Sequence, residues 1–344
     1  MTQMLETSLL SDLVNALAPS GFEENVRRVI VKRLEKMGFE PIVDNIGNVY
    51  VVLGEDKPSI ILAAHMDEVG LMIRYIDENG FLRFTPLGGL NALSIVGHEV
   101  ILLSEKGEIT GIIGSNPPHI QGQQPQTIPS LEDLFIDIGA SSRDEVLDYG
   151  ISPGTPGTFS RNFKETENLV FGKALDDRVG CYTLLKALEQ ASPPKHGSVI
   201  IAFTVQEEVG LRGAAVLAKN LEPNFSIAVE GTIANDVPFS TPDKIVTRLG
   251  GGPALRVMDR SIIGSHRLLN HLKKLLRNRG IPHQLQLSPY SATDSGSFAL
   301  WGAEATAVSV PVRYIHAPFS MALKSDIELT VEALKEIISN PFPA

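Results

Sequence analysis

Short apolar runs alternating with helical stretches constrain this chain more than any other feature. SIILAAH (59–65), SVIIAFTV (198–205), FSIAVE (225–230) and TAVSVPVRYI (306–315) are brief and rich in β-branched residues. They lack the strict apolar/polar alternation of a strand with one wet face, so they read as strands buried on both faces. Between them LDDRVGCYTLLKALEQA and LRGAAVLAKNL carry helical spacing. Strands of this kind interleaved with helices predict an α/β fold, a mainly parallel sheet covered by helices on both faces.

The same alternation opens the chain. Residues 5–17 have apolar residues at helical spacing, and APSGFEENVRRVIVKRLEKMG offers Ser20 as a cap, acids in the first turn and Gly38 at the close. From about residue 70 to 165 the helical period largely disappears. LMIRYIDENGFLRFTPLGG, EVILLSEKGEITGIIGS and NPPHIQGQQPQTIPS read as short strands with turns, including hairpin signals at ENG and EKG. A chain of 344 residues exceeds the roughly 250–300 at which single cores stop growing. The division expected is a discontinuous domain, 1–69 with 166–344, interrupted by a small β-barrel-like insert at 70–165.

Composition excludes several classes of function. Long apolar runs suited to a membrane span are absent, and the start of the chain does not read as a signal peptide. A formal charge of −10 without a basic block gives no footprint for nucleic acid. The one cysteine, Cys181, permits neither an internal disulfide nor a thiolate zinc cluster and fits a reducing, cytoplasmic setting.

In open α/β sheets ligands bind beyond the carboxyl ends of the strands. Polar residues follow apolar runs at five places: His65-Met66-Asp67-Glu68, Asp176-Asp177, Glu207-Glu208, Glu230 and His316. Imidazoles and carboxylates without thiols suit a pair of divalent ions such as Zn²⁺, Co²⁺ or Mn²⁺. Three ligating carboxylates and two neutral imidazoles against two dications would leave about one positive charge, enough to acidify a water and polarise a carbonyl. A further carboxylate is then needed to carry the proton. One of Glu207 and Glu208 would bind metal and the other serve as base, provided the backbone turns as the strand ends, which Val209-Gly210 permits. Taken singly, each residue has an ordinary reading: helix-start acids, a cap at Asp176-Asp177, a loop histidine at His316, a core histidine at His65. Their joint placement at strand ends argues for a site. His98, His119, His196, His266, His271 and His283 lack that context and read as structural or surface residues.

The motifs APSGFE, HMDEVG, PPH before LEDLFIDIGASS, GKALDDRVGC, QEEVGLRGA, EGTIANDVP and RYIHAP resemble, nearly end to end, the tetrahedron-forming dinuclear metalloaminopeptidases. That family includes glutamyl, leucyl and deblocking aminopeptidases, with some members labelled endoglucanases. The resemblance implies metal ligands at His65, Asp176, Glu208, Glu230 and His316, with Asp176 bridging. It implies Glu207 as general base and Asp67 as the carboxylate that orients His65. Asp177 could exchange roles with Asp176; the first is favoured. It also implies an insert that joins subunits, a hollow dodecamer and peptide substrates with a free N-terminus. Two departures stand out: Glu230 replaces a frequent aspartate, and SATDSGSF replaces a more glycine-rich loop around Thr293-Asp294. The long gap between His65 and Asp176 favours an aminopeptidase over the related carboxypeptidases and deacylases, whose extra domain precedes the last histidine. A deacylase of blocked amino groups is the alternative. A glycoside hydrolase is weaker, since Trp301 is the only tryptophan to offer an indole platform, and the full ligand set argues against a protein that has lost catalysis.

Overall fold

The computed structural model describes residues 5–116 and 129–343. Helices α1 (Thr7–Asn15) and α2 (Glu24–Lys36) precede β1 (Ile42–Val43), β2 (Val49–Leu53) and β3 (Ser59–His65). Then come β4 (Gly70–Ile76), β5 (Leu82–Leu87), α3 (Ala92–Ile95), β6 (Glu99–Ser104), β7 (Gly107–Gly114), β8 (Phe135–Asp137), α4 (Arg143–Asp148) and β9 (Pro156–Phe159). The chain continues through β10 (Lys164–Glu165), β11 (Leu169–Gly172), α5 (Leu175–Gln190), β12 (Ser198–Thr204), α6 (Arg212–Leu221), β13 (Phe225–Ile233) and β14 (Ala254–Asp259). It closes with α7 (His266–Asn278), β15 (Gln284–Ser288), α8 (Ser295–Leu300), β16 (Glu304–Arg313), β17 (Ser320–Leu323) and α9 (Lys324–Ser339).

The large sheet runs β1-β2-β12-β3-β13-β16-β17-β11-β10, with β14 and β15 branching from β16. Its centre, β12-β3-β13-β16, is parallel, and its flanks are antiparallel. Every residue of β3 and β12 is buried, because successive side chains point to opposite faces and helices cover both. Ile60, Leu62 and Ala64 meet the layer containing α1, α5 and α9, while Ile61 and Ala63 meet α6 and α8 through Ala214, Leu217 and Phe298. Each fully buried side chain of this size contributes about 1.5–3 kcal/mol of transfer free energy.

Strands β4-β5-β8-β7-β6-β9 close into a barrel around Leu71, Phe84, Leu102, Ile113 and Ile136. The hairpins signalled by ENG and EKG are present as β4–β5 and β6–β7. The last barrel strand ends at Phe159, and Lys164–Glu165 already pairs with β11 of the large sheet. Most of NPPHIQGQQPQTIPS, including His119, lies outside the described residues. Gly38 closes α2 at φ +87°, as its position suggests. Ser20 does not cap α2: the cap position is Glu23, and the Ser20 hydroxyl donates instead to Asp67 Oδ2 at 2.6 Å. The carboxylate it finds there is worth more to a buried hydroxyl than a helix amide that water can reach.

Candidate active site

The carboxyl ends of β3, β12, β13 and β16 and the start of α5 converge on one cavity of about 770 Å³. Six of the residues singled out in the sequence line it: His65, Asp176, Glu207, Glu208, Glu230 and His316. Asp67 lies buried behind them.

Asp176 stands between the two imidazoles. Its Oδ1 is 3.3 Å from His65 Nε2 and its Oδ2 is 3.3 Å from His316 Nε2. Glu208 Oε1 lies 3.3 Å from the same His316 nitrogen. The far side of each ring is held. His316 Nδ1 donates to the Gly89 carbonyl at 2.9 Å, and His65 Nδ1 faces the Asp67 carbonyl at 3.2 Å and Asp67 Oδ1 at 3.5 Å. Such contacts leave Nε2 of both rings as the nitrogen presented to the cavity. Asp177 is turned elsewhere: its carboxylate accepts the backbone N–H groups of His65, Gly180 and Gly231 at 3.1, 2.9 and 2.9 Å.

The turn that brings adjacent glutamates to one site begins earlier than the sequence suggests. Gln206, two residues after β12, has φ +56°, and Gly210 follows at φ +124°. Asp67 clamps the turn, accepting the N–H of Glu207 at 3.0 Å on Oδ1 and that of Glu208 at 3.2 Å on Oδ2. It therefore orients the glutamates as well as His65. Glu208 joins Asp176 and His316 in one compact donor group, while Glu207 groups only with His65 and Glu208.

The electrostatics are those of crowded acids in a dry place. Burial raises the pKa of Glu207, and the charges of Glu230, Glu208 and Asp294 raise it further against the opposing pull of His65. Burial likewise pushes Glu230 up to about 8, against the lowering effect of Arg256. Burial opposes protonation of both histidines, yet both stay raised: Asp176 and Asp67 hold His65, Glu208 and Asp176 hold His316. Among the described residues Glu230 Oε1 is buried without a hydrogen-bond partner, and Glu208 Oε1 is buried with only the His316 nitrogen near it, at 3.3 Å. Carboxylate oxygens so poorly partnered in such a place are costly unless a cation meets them, so the donor set fits divalent metal.

Other lining residues escaped sequence reasoning. Gly89 and Asn91 come from the barrel, and Arg256, Arg260, Ser261 and Tyr290 come from segments around β14 and β15. Ser291 and Ala292, from the loop that departs from the glycine-rich pattern, also line it. Arg256 is buried, bonded to Asp259 at 3.0 Å and 3.7 Å from Glu230 Oε2. Their spacing carries no period, and only the fold brings them together.

Comparison with known proteins agrees with this geometry. Residues 47–333 match the M42 glutamyl aminopeptidase family. The chain is 35% identical over 331 residues to the glutamyl aminopeptidase of Lactococcus lactis subsp. cremoris, covering 90% of each. It is 31% identical over 347 residues to the lysyl aminopeptidase of Pyrococcus furiosus, covering 99% of each. Among solved structures it superposes with a TM-score of 0.92 on aminopeptidase APDkam598 from Desulfurococcus kamchatkensis, at 35% identity over 97% of this chain and 94% of that one. It superposes with a TM-score of 0.87 on the TET1 peptidase of Pyrococcus horikoshii, which can assemble into a tetrahedron or a large octahedral shell, at 32% identity over 97% and 99% of the two chains. An acid-rich, two-histidine cavity at the strand ends and a match across both domains lead to one assignment: the chain belongs to the M42 aminopeptidases, metal-dependent hydrolases of the peptide bond.

Proposed function

We propose that this aminopeptidase removes acidic residues from peptides with a free N-terminus, using two divalent ions and Glu207 as proton carrier. The observation behind the metal reading is Asp176, with one carboxylate oxygen turned to each imidazole Nε2. Asp176 would bridge the two ions, with His65 and Glu230 serving one position and Glu208 and His316 the other. The three backbone N–H groups that the Asp177 carboxylate accepts favour Asp176 over Asp177 for that role. Bound ions of the zinc, cobalt or manganese class supply Lewis acidity to the scissile carbonyl and acidify the attacking water. Glu207 removes the proton of that water and returns it to the leaving amine, and its raised pKa suits a carboxylate that must hold a proton between the two steps. Asp67 keeps Glu207, Glu208 and His65 in register.

The acidic preference rests on Arg260. Asp259 Oδ1 accepts the N–H groups of Ser261 and Ile262, and Arg260 N donates to the Ser291 carbonyl, so the turn is firmly seated. Arg260 lines the cavity and makes no ion pair among the described residues, whereas Arg256 is already paired with Asp259. A spare cation on the wall attracts a carboxylate and repels a lysyl side chain.

Assembly into a twelve-subunit tetrahedral particle through the inserted barrel belongs to the same reading, supported by the behaviour of the TET1 relative. The buried free thiol of Cys181 fits the cytoplasm.

Unblocked and N-acetylated glutamyl, glutaminyl, leucyl and lysyl anilides, assayed after chelation and after restoring Zn²⁺ or Co²⁺, test the proposal. Metal-dependent cleavage of unblocked substrates with glutamyl preferred is the expected result. Arg260→Gln should then erase the preference for glutamyl over glutaminyl anilide. Cleavage confined to acetylated substrates would replace the reading with a deacylase. Equal rates on all unblocked anilides would remove Arg260 alone.

A further inference from the structure

Glu23 directly precedes α2 and is buried. An acid at a helix start ordinarily faces the free amides of the first turn, yet the Glu23 side chain makes no capping bond there. Its Oε1 turns the other way and accepts two backbone N–H groups, that of Gly21 at 2.6 Å and that of Gln206 at 3.2 Å. The second lies 183 positions along the chain, at the bend that delivers Glu207 and Glu208 to the cavity. The whole bend is held in this manner. After β12 ends at Thr204, four successive amides pass to side-chain oxygens from the N-terminal part of the chain: Val205 N to Asn48 Oδ1 at 3.0 Å, Gln206 N to Glu23, and Glu207 N and Glu208 N to Asp67. Gln206 is the unfavourable step among them, because a residue with a side chain keeps φ +56° only where its surroundings enforce it. Its carbonyl accepts from Arg212 N at 3.2 Å, and Glu23 supplies the acceptor on its other side.

We infer, on the reading of Glu207 as proton carrier, that Glu23 is a positioning residue for the reaction: by holding the Gln206 N–H it fixes the aim of the Glu207 carboxylate. Glu207 follows Gln206 directly, so any rotation about the Gln206 backbone carries Glu207 with it. Glu208 stands one residue further on, in the compact donor group with Asp176 and His316, where a bound ion would hold it. Asp67 bonds to the amides of both glutamates and cannot favour one over the other; Glu23 acts at the Gln206 end alone. Both of its contacts are made by one oxygen, so an amide at this position keeps the acceptor. An apolar side chain of similar size removes it and leaves two backbone donors to find another partner. The positive φ of Gln206 then loses one of its supports, and the proton carrier, with no ion to hold it, moves first.

The metal-loaded, full-length protein carries the test, with the unblocked anilide that the parent cleaves fastest. Glu23→Leu should lower kcat about 10- to 100-fold, since misplacing a reacting group by about 1 Å can cost roughly 10²-fold. KM and the number of ions bound per subunit should stay at parental values, because among the described residues Glu23 bonds to none of the ligands. Glu23→Gln keeps Oε1 as an acceptor and should recover most of the lost kcat. A double-mutant cycle separates this role from simple support of the fold. In a Glu207→Gln background Glu23→Leu should lower the residual kcat by less than about twofold, whereas a general loosening of the site would lower it as much as in the parent. Parental kcat in Glu23→Leu, no recovery with glutamine, or an equal loss in both backgrounds would each overturn the assignment. Should the leucine variant fail to fold, Glu23→Asp, which keeps the charge and withdraws the oxygen, takes its place in the same cycle with the same expectations. Full turnover by Glu207→Gln alone would overturn the reading of Glu207 itself, and the role of Glu23 with it.

Discussion

Asp67→Asn keeps the shape of a side chain at the centre of the site and removes its charge. The carboxylate accepts the Ser20 hydroxyl at 2.6 Å and the N–H groups of Glu207 and Glu208 at 3.0 and 3.2 Å, and it faces His65 Nδ1 at 3.5 Å. Burial works against ionisation, yet the hydrogen bond and charge of His65, with the Ser20 and Glu207 donors, hold its pKa below the usual carboxylate range. Both oxygens are therefore acceptors at neutral pH, and an amide can replace only one of them. If its NH₂ takes the Oδ2 position, it opposes Glu208 N–H; if it takes the Oδ1 position, it opposes Glu207 N–H. One charge-assisted hydrogen bond is lost either way, worth about 1.5–3 kcal/mol, which at about 1.4 kcal/mol per factor of ten is roughly a ten- to hundredfold change. The same range, about 10–100-fold, is typical when a group that orients metal ligands is replaced. Chelator-competition titration with Zn²⁺ or Co²⁺ should show metal affinity lower by that amount, with a matching fall in kcat/KM at limiting metal. An affinity within about twofold of the parent, a difference of roughly 0.4 kcal/mol, would refute the idea that Asp67 holds the ligands in place.

Glu207→Gln should retain its metal while losing roughly 10²–10⁴-fold in kcat; elemental analysis beside kinetics checks both halves, and near-parental turnover would reject Glu207 as proton carrier. Glu68→Gln strikes the joint between the domains. Glu68 accepts from buried Lys173 Nζ at 2.7 Å on each oxygen, from Ala18 N at 2.9 Å and from Thr158 Oγ1 of the barrel at 3.0 Å. Burial has already pushed Lys173 down to about 8, and breaking a buried ion pair costs about 3–5 kcal/mol, so the urea midpoint should fall clearly; an unchanged midpoint would contradict that role. The metal-stripped protein should also lose stability as pH rises. Glu230, moved from 4.5 to about 8, contributes stability that is complete below about 4.5 and lost through about 8. The raised histidines act in the same direction, and added dication should flatten the profile. Thermal midpoints in chelator at about pH 5, 6.5 and 8 check this, and a midpoint that rises across the window would count against the crowded-acid picture.

The central strands were legible because burial on both faces leaves continuous apolar runs, and the acids and histidines were legible because they terminate those runs. What depended on long-range contact was not. Ser20 looks like a helix cap, and only the approach of the 65–68 segment turns its hydroxyl to Asp67. The bend that makes Glu207 and Glu208 neighbours in function starts at Gln206, a residue with no intrinsic preference for positive φ, and is held by an acid 139 positions earlier in the chain than Gln206. Asp176 and Asp177 are indistinguishable as a dipeptide; the amides of Gly180 and Gly231 separate them. Arg260 and Tyr290 carry no motif, and their position in the cavity follows from the turns after β14 and β15.

The barrel is part of the geometry of the candidate site as well as an appendage. Its Gly88–Gly89 segment passes so close to the site that a Cβ at Gly88 would stand 3.1 Å from Glu208 Oε2, and one at Gly89 would stand 3.1 Å from His316 Nδ1. Gly88 also sits at φ +87°, where side chains are disfavoured. The close approach lets the Gly89 carbonyl accept from His316 Nδ1 at 2.9 Å, and that bond leaves Nε2 to face Asp176 and Glu208. His316 itself holds φ +61°, a conformation that persists in a non-glycine residue only where its surroundings enforce it. Glu68, one residue from Asp67, fastens the same barrel through Thr158. A displacement of the barrel would therefore move the carbonyl that orients one imidazole and strain the segment that orients the other. Contacts that fix the barrel thus bear directly on the orientation of both imidazoles.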